Sequence, residues 1–273
     1  MSRPPLKSLL RWYFQRIAVA WTLLMLVGCL WLHWPPLLPV LSSALLLLLT
    51  LDGIFRPGSN LFHPTLTHGP RGTGKVAITF DDGPDPEVTP AVLEVLKQHG
   101  MHATFFVVGR ELAAQPELGR RMAEEGHVVA NHSWQHAYWQ NFRHAVWQEA
   151  ELRRGEEAIE TVTGKPSTRL YRPPVGLKIG ELGRAVTQSG LTLVAWSVHS
   201  RDSFDPDPER IARRVLRRVR DGDIVLLHDG YNNRGERRDR CPRALALILS
   251  GLRERGLTCV TVTELLGPGA RSR

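Results

Sequence analysis

Val76-Ala77-Ile78-Thr79-Phe80-Asp81-Asp82-Gly83 is a run of β-branched and apolar residues that ends in two carboxylates and a glycine. Gly74 precedes it and Pro84 follows, so it reads as a short strand buried on both faces. Unpaired charge at the end of such a strand costs several kcal/mol, by rough estimate. The two aspartates therefore need partners, or the segment is a surface turn, for which Asp-Asp-Gly-Pro is also suitable chemistry. Neighbouring side chains on a strand point to opposite sides. Asp81 and Asp82 are thus suited to different jobs in one site, one binding a metal and the other handling a proton.

Outward from this stretch, short apolar runs alternate with helical stretches. The strand candidates are 75–80, 103–108, 127–130, 169–171, 191–197, 223–227 and 257–262. Helix starts are marked by Thr89-Pro90, Pro116 and Asp207-Pro208, and a long polar helix is predicted over 143–162. Repeated βα units with right-handed crossovers build a parallel sheet or a barrel. Seven strands predict an α/β fold, a barrel one strand short of the usual eight.

The N-terminal part differs in kind. Residues 1–72 hold six of the 35 Lys/Arg and one of the 27 acidic residues. The remainder is nearly balanced, which argues against a nucleic-acid partner, since that needs a basic stripe on the folded domain. Residues 17–34 are nearly free of charge and long enough to cross a bilayer, with Trp12, Trp21, Trp31 and Trp34 as interfacial anchors. After Pro35-Pro36 a second apolar stretch occupies about 37–55. The apolar region is too long for a cleaved signal peptide, and no small-residue cleavage site stands out. Two arrangements fit a membrane-attached chain. In one, a hairpin of two spans leaves the N-terminus and the globular part in the cytoplasm. In the other, a single signal-anchor span leaves the globular part outside. Basic residues flank both ends (Arg56, Arg71 and Lys75 at the exit), so the charge count does not separate these. The predicted organisation is a membrane region 1–57, a linker 58–74, a catalytic domain 75–267 and a tail 268–273. Cys241 and Cys259 are the only candidates for a bridge in the soluble part, and no Cys/His cluster signals structural zinc.

Reactive groups in a βα-barrel collect at the C-terminal ends of strands. Here those ends read Asp81-Asp82, Asn131-His132-Ser133-Trp134-Gln135-His136, Arg172-Pro173-Pro174-Val175-Gly176, His199 with Asp202, and His228-Asp229. His132 and His136 are four apart, which on one helical turn aims both imidazoles the same way. With Asp82 they make two histidines and one carboxylate, a set that binds a divalent metal with positions left open. A surface histidine pair is the bland alternative. Trp134, Trp139 and Trp147 suit either a sugar groove or helix packing. Arg213, Arg214, Arg217, Arg218 and Arg220 form a basic helix face that reads as solvated surface or a contact with anionic lipid. Tyr231-Asn232-Asn233-Arg234-Gly235 is a polar loop next to His228, placed to select substrate.

Together these motifs resemble the NodB-like polysaccharide deacetylases, carbohydrate esterase family four, over about residues 73–266. Thr79-Phe80-Asp81-Asp82-Gly83 is similar to the family's first motif, which implies Asp81 as general base and Asp82 as metal ligand. His132-Ser133-Trp134-Gln135-His136 is similar to the second, which supplies both metal histidines. Arg172-Pro173-Pro174-Val175-Gly176 resembles the third, where the arginine orients the catalytic aspartate and the backbone N–H of Val175 holds an oxyanion. Leu226-Leu227-His228 resembles the last, making His228 the general acid. Two departures stand out. Val175 takes the place of a common aromatic. His199-Ser200-Arg201-Asp202-Ser203 replaces an Asp-x-x-Asp-Trp pattern, keeping only the second acid, Asp202. The resemblance implies a distorted (β/α)7 barrel and a metal-dependent hydrolase, with zinc as the expected ion. Its substrate would be an N-acylated saccharide, polymeric or lipid-linked. A deformylase of a lipid-carried monosaccharide and a catalytically silent carbohydrate-binding protein are the alternatives.

Overall fold

The computed structural model describes residues 6–140, 143–230 and 239–267. It opens with two helices, α1 (Leu6–Trp31) and α2 (Leu37–Phe55). Each is long and apolar enough to cross a membrane, over Tyr13–Trp31 and Leu37–Phe55. They turn back on each other at Pro35-Pro36, with Trp21 Nε1 donating to Ser42 Oγ (3.1 Å) across the pair.

Eight parallel strands follow: β1 (Lys75–Asp81), β2 (Thr104–Val107), β3 (Val128–Asn131), β4 (Leu170–Tyr171), β5 (Thr192–Leu193), β6 (Val198–His199), β7 (Ile224–His228) and β8 (Thr258–Val260). They run in the order β5-β4-β3-β2-β1-β7-β6, and β8 pairs with the first half of β1. Helices α3 (Thr89–His99), α4 (Gly109–Ala114), α5 (Pro116–Glu124), α6 (Ala145–Thr163), α7 (Gly180–Gln188), α8 (Pro208–Arg218), α9 (Arg240–Glu254) and α10 (Val262–Leu266) make the crossovers. The architecture is the distorted (β/α)7-type barrel that the sequence predicts.

β1 is central and, apart from Lys75, buried throughout. Val76, Ile78 and Phe80 face the helices, where Phe80 stacks on Phe105 at 4.9 Å. Ala77 belongs to the separate inner cluster with Phe106, Ala130 and Ile224. Each large apolar side chain so buried contributes about 1.5–3 kcal/mol. The alternation also places Asp81, two residues beyond Thr79, on the inner face where the strand ends.

Three local expectations differ from what forms. The candidate strand 191–197 shortens to β5, and β6 starts only at Val198, because residues 193–195 pair with the segment before β1: Leu66 N–H donates to Leu193 O (2.9 Å) and Ala195 N–H to Leu66 O (2.7 Å). The stretch 58–74 is accordingly packed against the barrel, with Phe62 and His63 buried. Thr89 does not cap α3; it is the first helical residue, and its hydroxyl accepts from the Asp85 amide and donates to Asp229 Oδ2 (2.6 Å). Asp207 does cap α8, accepting from the Glu209 and Arg210 amides. Cys241 and Cys259 are buried free thiols.

Candidate active site

Strand ends converge on a cleft of about 330 Å³ whose walls include Asp81, Asp82, His132, His136, Val175 and His228. Asp81 Oδ1 accepts from Arg172 Nη1 at 2.7 Å. The guanidinium is completely buried, lies 4.0 Å over the Phe106 ring, and also donates to Thr79 Oγ1 and to the carbonyls of Val194 and Ala195. Every face of this cation is thus partnered, as a buried charge requires.

Asp82 has φ +74°, a left-handed conformation that aspartate tolerates better than most residues. The turn swings its carboxylate onto two imidazoles: Oδ1 lies 3.3 Å from His132 Nε2 and 3.1 Å from His136 Nε2. Burial works against its charge, but these contacts hold the carboxyl well below the usual carboxylate range. For His132, burial opposes protonation while the charge of Asp81 and the contact with Asp82 raise its pKa. The turn itself rests on Gly83 and Gly230. A Cβ on Gly83 would sit 2.4 Å from Asp229 Oδ1, and one on Gly230 2.3 Å from the Asp82 Cβ.

The two histidines are not on a helix. His132 directly follows β3, and His136 lies in a loop in which Ser133 (φ +69°) and His136 (φ +52°) are both left-handed. Asn131 shapes this loop. Its Oδ1 accepts from Ser133 N, and its Nδ2 donates to Leu152 O and Glu156 Oε1. Gly155 on α6 leaves the room, since a Cβ there would come within 2.5 Å of Asn131 Oδ1. A polar side chain at the end of a buried strand was the available signal for Asn131.

The ligating atoms of Asp82, His132 and His136 all lie within 4.8 Å of one another. His132 Nδ1 is 2.7 Å from Arg172 O, so it donates there and presents the Nε2 lone pair to the cluster. Two imidazoles and a carboxylate, with one tautomer fixed from behind, fit a divalent cation.

Across the cleft, His228 ends β7. Its Nδ1 is 2.9 Å from Asp202 Oδ1, and its backbone N–H donates to Asp202 Oδ2 (2.8 Å). Ser203 Oγ is 3.1 Å from the same Nδ1, and Ser200 Oγ donates to Asp202 Oδ1. Burial disfavours the imidazolium, yet the carboxylates of Asp202, Asp82 and Asp81 together outweigh it, Asp202 foremost, and lift the His228 pKa to about 9. Asp202, although buried, is pulled below its ordinary value by the charge of His228.

Val175 occupies the short 3-10 turn Pro174–Gly176 at φ +59° and is 55% exposed at the rim. A Cβ on Gly176 would strike the Trp196 ring at 2.4 Å, and Trp196, Tyr138 and Phe204 complete the walls. Trp196 went unassigned because it sat inside the predicted strand 191–197. Trp134, Trp139 and Trp147 do not line the cleft. Trp134 packs on Gly109 and under Arg154, Trp147 lies beside Arg143, and Trp139 is exposed. On α8, Arg214 is tied to Ser200 O and Asp205, while Arg213, Arg217 and Arg218 are exposed. The loop 231–235 lies outside the described residues.

Residues 68–194 match the family model described as polysaccharide deacetylase. The chain is 42% identical over 201 residues to a chitooligosaccharide deacetylase of Bradyrhizobium sp. strain ANU 289, covering 71% of this chain and 91% of that one. The chain belongs to the polysaccharide deacetylase family. As a polysaccharide deacetylase it is a hydrolase of carbon–nitrogen bonds other than peptide bonds. Its fold is similar to the crystal structure of the Bc1960 peptidoglycan N-acetylglucosamine deacetylase in complex with 4-naphthalen-1-yl-N-oxidanyl-benzamide, with TM-score 0.67, 31% identity and coverage of 74% and 92%. It is also similar to wild-type BA3943 from Bacillus anthracis, described as a family pseudoenzyme, with TM-score 0.66, 26% identity and coverage of 74% and 69%.

Proposed function

We propose that this polysaccharide deacetylase removes the acetyl group from an N-acetylglucosamine unit in a membrane-associated glycan or lipid-linked saccharide. One observation carries the reading: a three-donor cation cluster, a carboxylate locked to a buried arginine, and a carboxylate-backed imidazole all open into one small cleft. In the silent-protein alternative at least one of these groups is dispensable, and the chain retains them all.

Asp82, His132 and His136 would hold a divalent cation, which we take to be zinc; when bound it would supply Lewis-acid polarisation of the acyl carbonyl and acidify nearby water. Asp81, oriented by Arg172, accepts the proton of the water that adds to the acyl carbon. The Val175 N–H donates to the oxygen that becomes negative, a contribution of about 3 kcal/mol for one such donor. His228, oriented by Asp202, gives a proton to the sugar nitrogen as the C–N bond breaks, leaving a free amine and acetate. The Val175 side chain and Trp196 then bound the sugar site. Residues 1–57 act as the membrane anchor, and 75–267 carry the chemistry.

The test is release of acetate from N-acetylchitooligosaccharides and from peptidoglycan fragments, with and without a chelator, followed by zinc readdition. Acetate release that a chelator stops and zinc restores supports the reading. No release from any acetylated sugar, with formate released from an N-formyl sugar instead, replaces it with the deformylase.

A further inference from the structure

The hairpin and the cleft are physically joined at both ends of the hairpin. Arg16 Nη2, at the start of the first span, lies 2.8 Å from Glu181 Oε1. The other Glu181 oxygen accepts from the Ala145 amide at the opening of α6 (3.2 Å). At the end of the second span, the Lys178 amide donates to Ile54 O (3.4 Å). The Lys178 ammonium, 2% exposed, is clasped by the carbonyls of Arg56 (3.1 Å), Pro57 (2.6 Å) and Ser59 (2.9 Å). Lys178 is three residues past Val175, a reach of at most about 11 Å, and Val146 follows Ala145. Both spans therefore emerge beside one side of the cleft rim.

That rim is apolar. Tyr138, Trp139, Val146, Val175 and Phe204 are each more than half exposed, and Leu247 on α9 is the one other large exposed hydrophobic among the described residues after α2. Clustered exposure of this kind marks an interaction surface, and Trp and Tyr favour the headgroup layer of a bilayer. Continuity with the two spans makes lipid the occupant. The hairpin also settles how the basic flanks count. Because it folds back, Lys7 and Arg11 before the first span and Arg16 in its first turn lie on the same side as Arg56, Arg71 and Lys75 after the second, while the turn 32–36 holds no Lys or Arg. Loops rich in Lys and Arg stay in the cytoplasm.

We propose that the hairpin holds the catalytic domain on the cytoplasmic face of the membrane with the exposed side chains of Trp139, Val146 and Val175 in the headgroup layer, where the cleft takes an N-acetylated sugar from a lipid carrier in that leaflet. The substrate part rests on the deacetylase reading, and the placement does not. Mature wall glycan, on the other side of the membrane, is then not the substrate.

Three measurements on the full chain test this. A C-terminal green fluorescent protein fusion should fluoresce and a C-terminal alkaline phosphatase fusion should be inactive; the reverse pattern overturns the placement. In a Cys29→Ser background, a fluorophore on Val146→Cys in phosphatidylethanolamine/phosphatidylglycerol vesicles should be quenched by lipid-borne nitroxide, and one on Leu247→Cys should not; equal quenching removes the rim contact. Finally, Trp139→Glu/Val146→Glu should keep turnover of soluble N-acetylchitotetraose in detergent within twofold while losing at least tenfold on polyprenyl-diphosphate-linked N-acetylglucosamine in those vesicles. Equal effects on both substrates reject the lipid carrier. Failure of the wild type on the soluble tetramer rejects the deacetylase reading and leaves the two placement results standing.

Discussion

The cleft has two sides, and both are built from carboxylates and imidazoles. On one, a single oxygen of Asp82 faces the Nε2 atoms of His132 and His136 at 3.3 and 3.1 Å. On the other, both oxygens of Asp202 are spent on His228, one on its Nδ1 and one on its backbone N–H. The first side converges lone pairs on a point, which suits a cation. The second encloses one imidazole and stabilises its charged form, which suits a proton. The same two residue types thus serve different chemistry according to which nitrogen faces the carboxylate and how many do.

Substitutions at the shared centre break this contrast most severely. Asp81→Asn is expected to lower kcat by about 10³–10⁴, at the upper end for loss of a general base, with the stoichiometry of bound zinc unchanged. Asp82→Asn should abolish zinc binding, measured by elemental analysis, and activity with it. If Asp81→Asn instead loses the metal, the two aspartates have exchanged roles. On the opposite side, His228→Asn should lower kcat by about 10²–10³ with zinc retained. The deficit should shrink on an activated anilide, whose leaving group needs less help from an acid.

Asp202→Asn is milder and more diagnostic. His228 titrates near 9 against an ordinary 6.5, with burial opposing the shift and Asp202 the leading contribution to it. An acid works only while protonated, so activity falls on the alkaline side. That limb belongs above the ordinary 6.5, toward about 9. Asp202→Asn should move the limb down by at least one pH unit and cost about tenfold in kcat at pH 8, read from a full kcat profile. The linked stability has the same sign. A pKa raised by folding contributes stability that is complete below 6.5 and is lost as pH rises through 9, so urea midpoints should fall over that range in the wild type and less in the variant.

How much of this was legible in the sequence depends on the range of the interactions. β1 and its aspartates were legible because a buried strand announces itself by composition, and strand ends collect polar groups. The pairing of His132 with His136 was readable as a spacing but not as a shape. Four residues suggest a helical turn, whereas two left-handed residues and the Asn131 side chain make a loop that brings the same rings together. The shortening of 191–197 to Thr192–Leu193 was invisible, since Leu66, more than 120 residues earlier, takes the hydrogen bonds of residues 193–195. Trp196 and the packing of 58–74 were hidden for the same reason. At 199–203 the sequence keeps only the second acid of the motif, and the structure places that acid, Asp202, on His228. Asp202 alone supplies both contacts, and Ser203 joins Nδ1.

Val175 provides the smallest and sharpest test, because its backbone and its side chain are assigned different work. Its φ of +59° is unfavourable for a β-branched residue. Glycine adopts that angle freely but is freer in the unfolded chain, by about 0.5–1 kcal/mol. Relief of strain in Val175→Gly and the added chain entropy oppose each other at similar size, so stability in urea should change by less than about 1 kcal/mol. The N–H stays where it was, and kcat should fall no more than about threefold. KM for a soluble oligosaccharide should rise, since one wall of the sugar site is gone. A collapse of kcat with KM unchanged would mean that the isopropyl group, rather than the amide, holds the reacting carbonyl in place. The oxyanion contact would then have to come from elsewhere in the cleft.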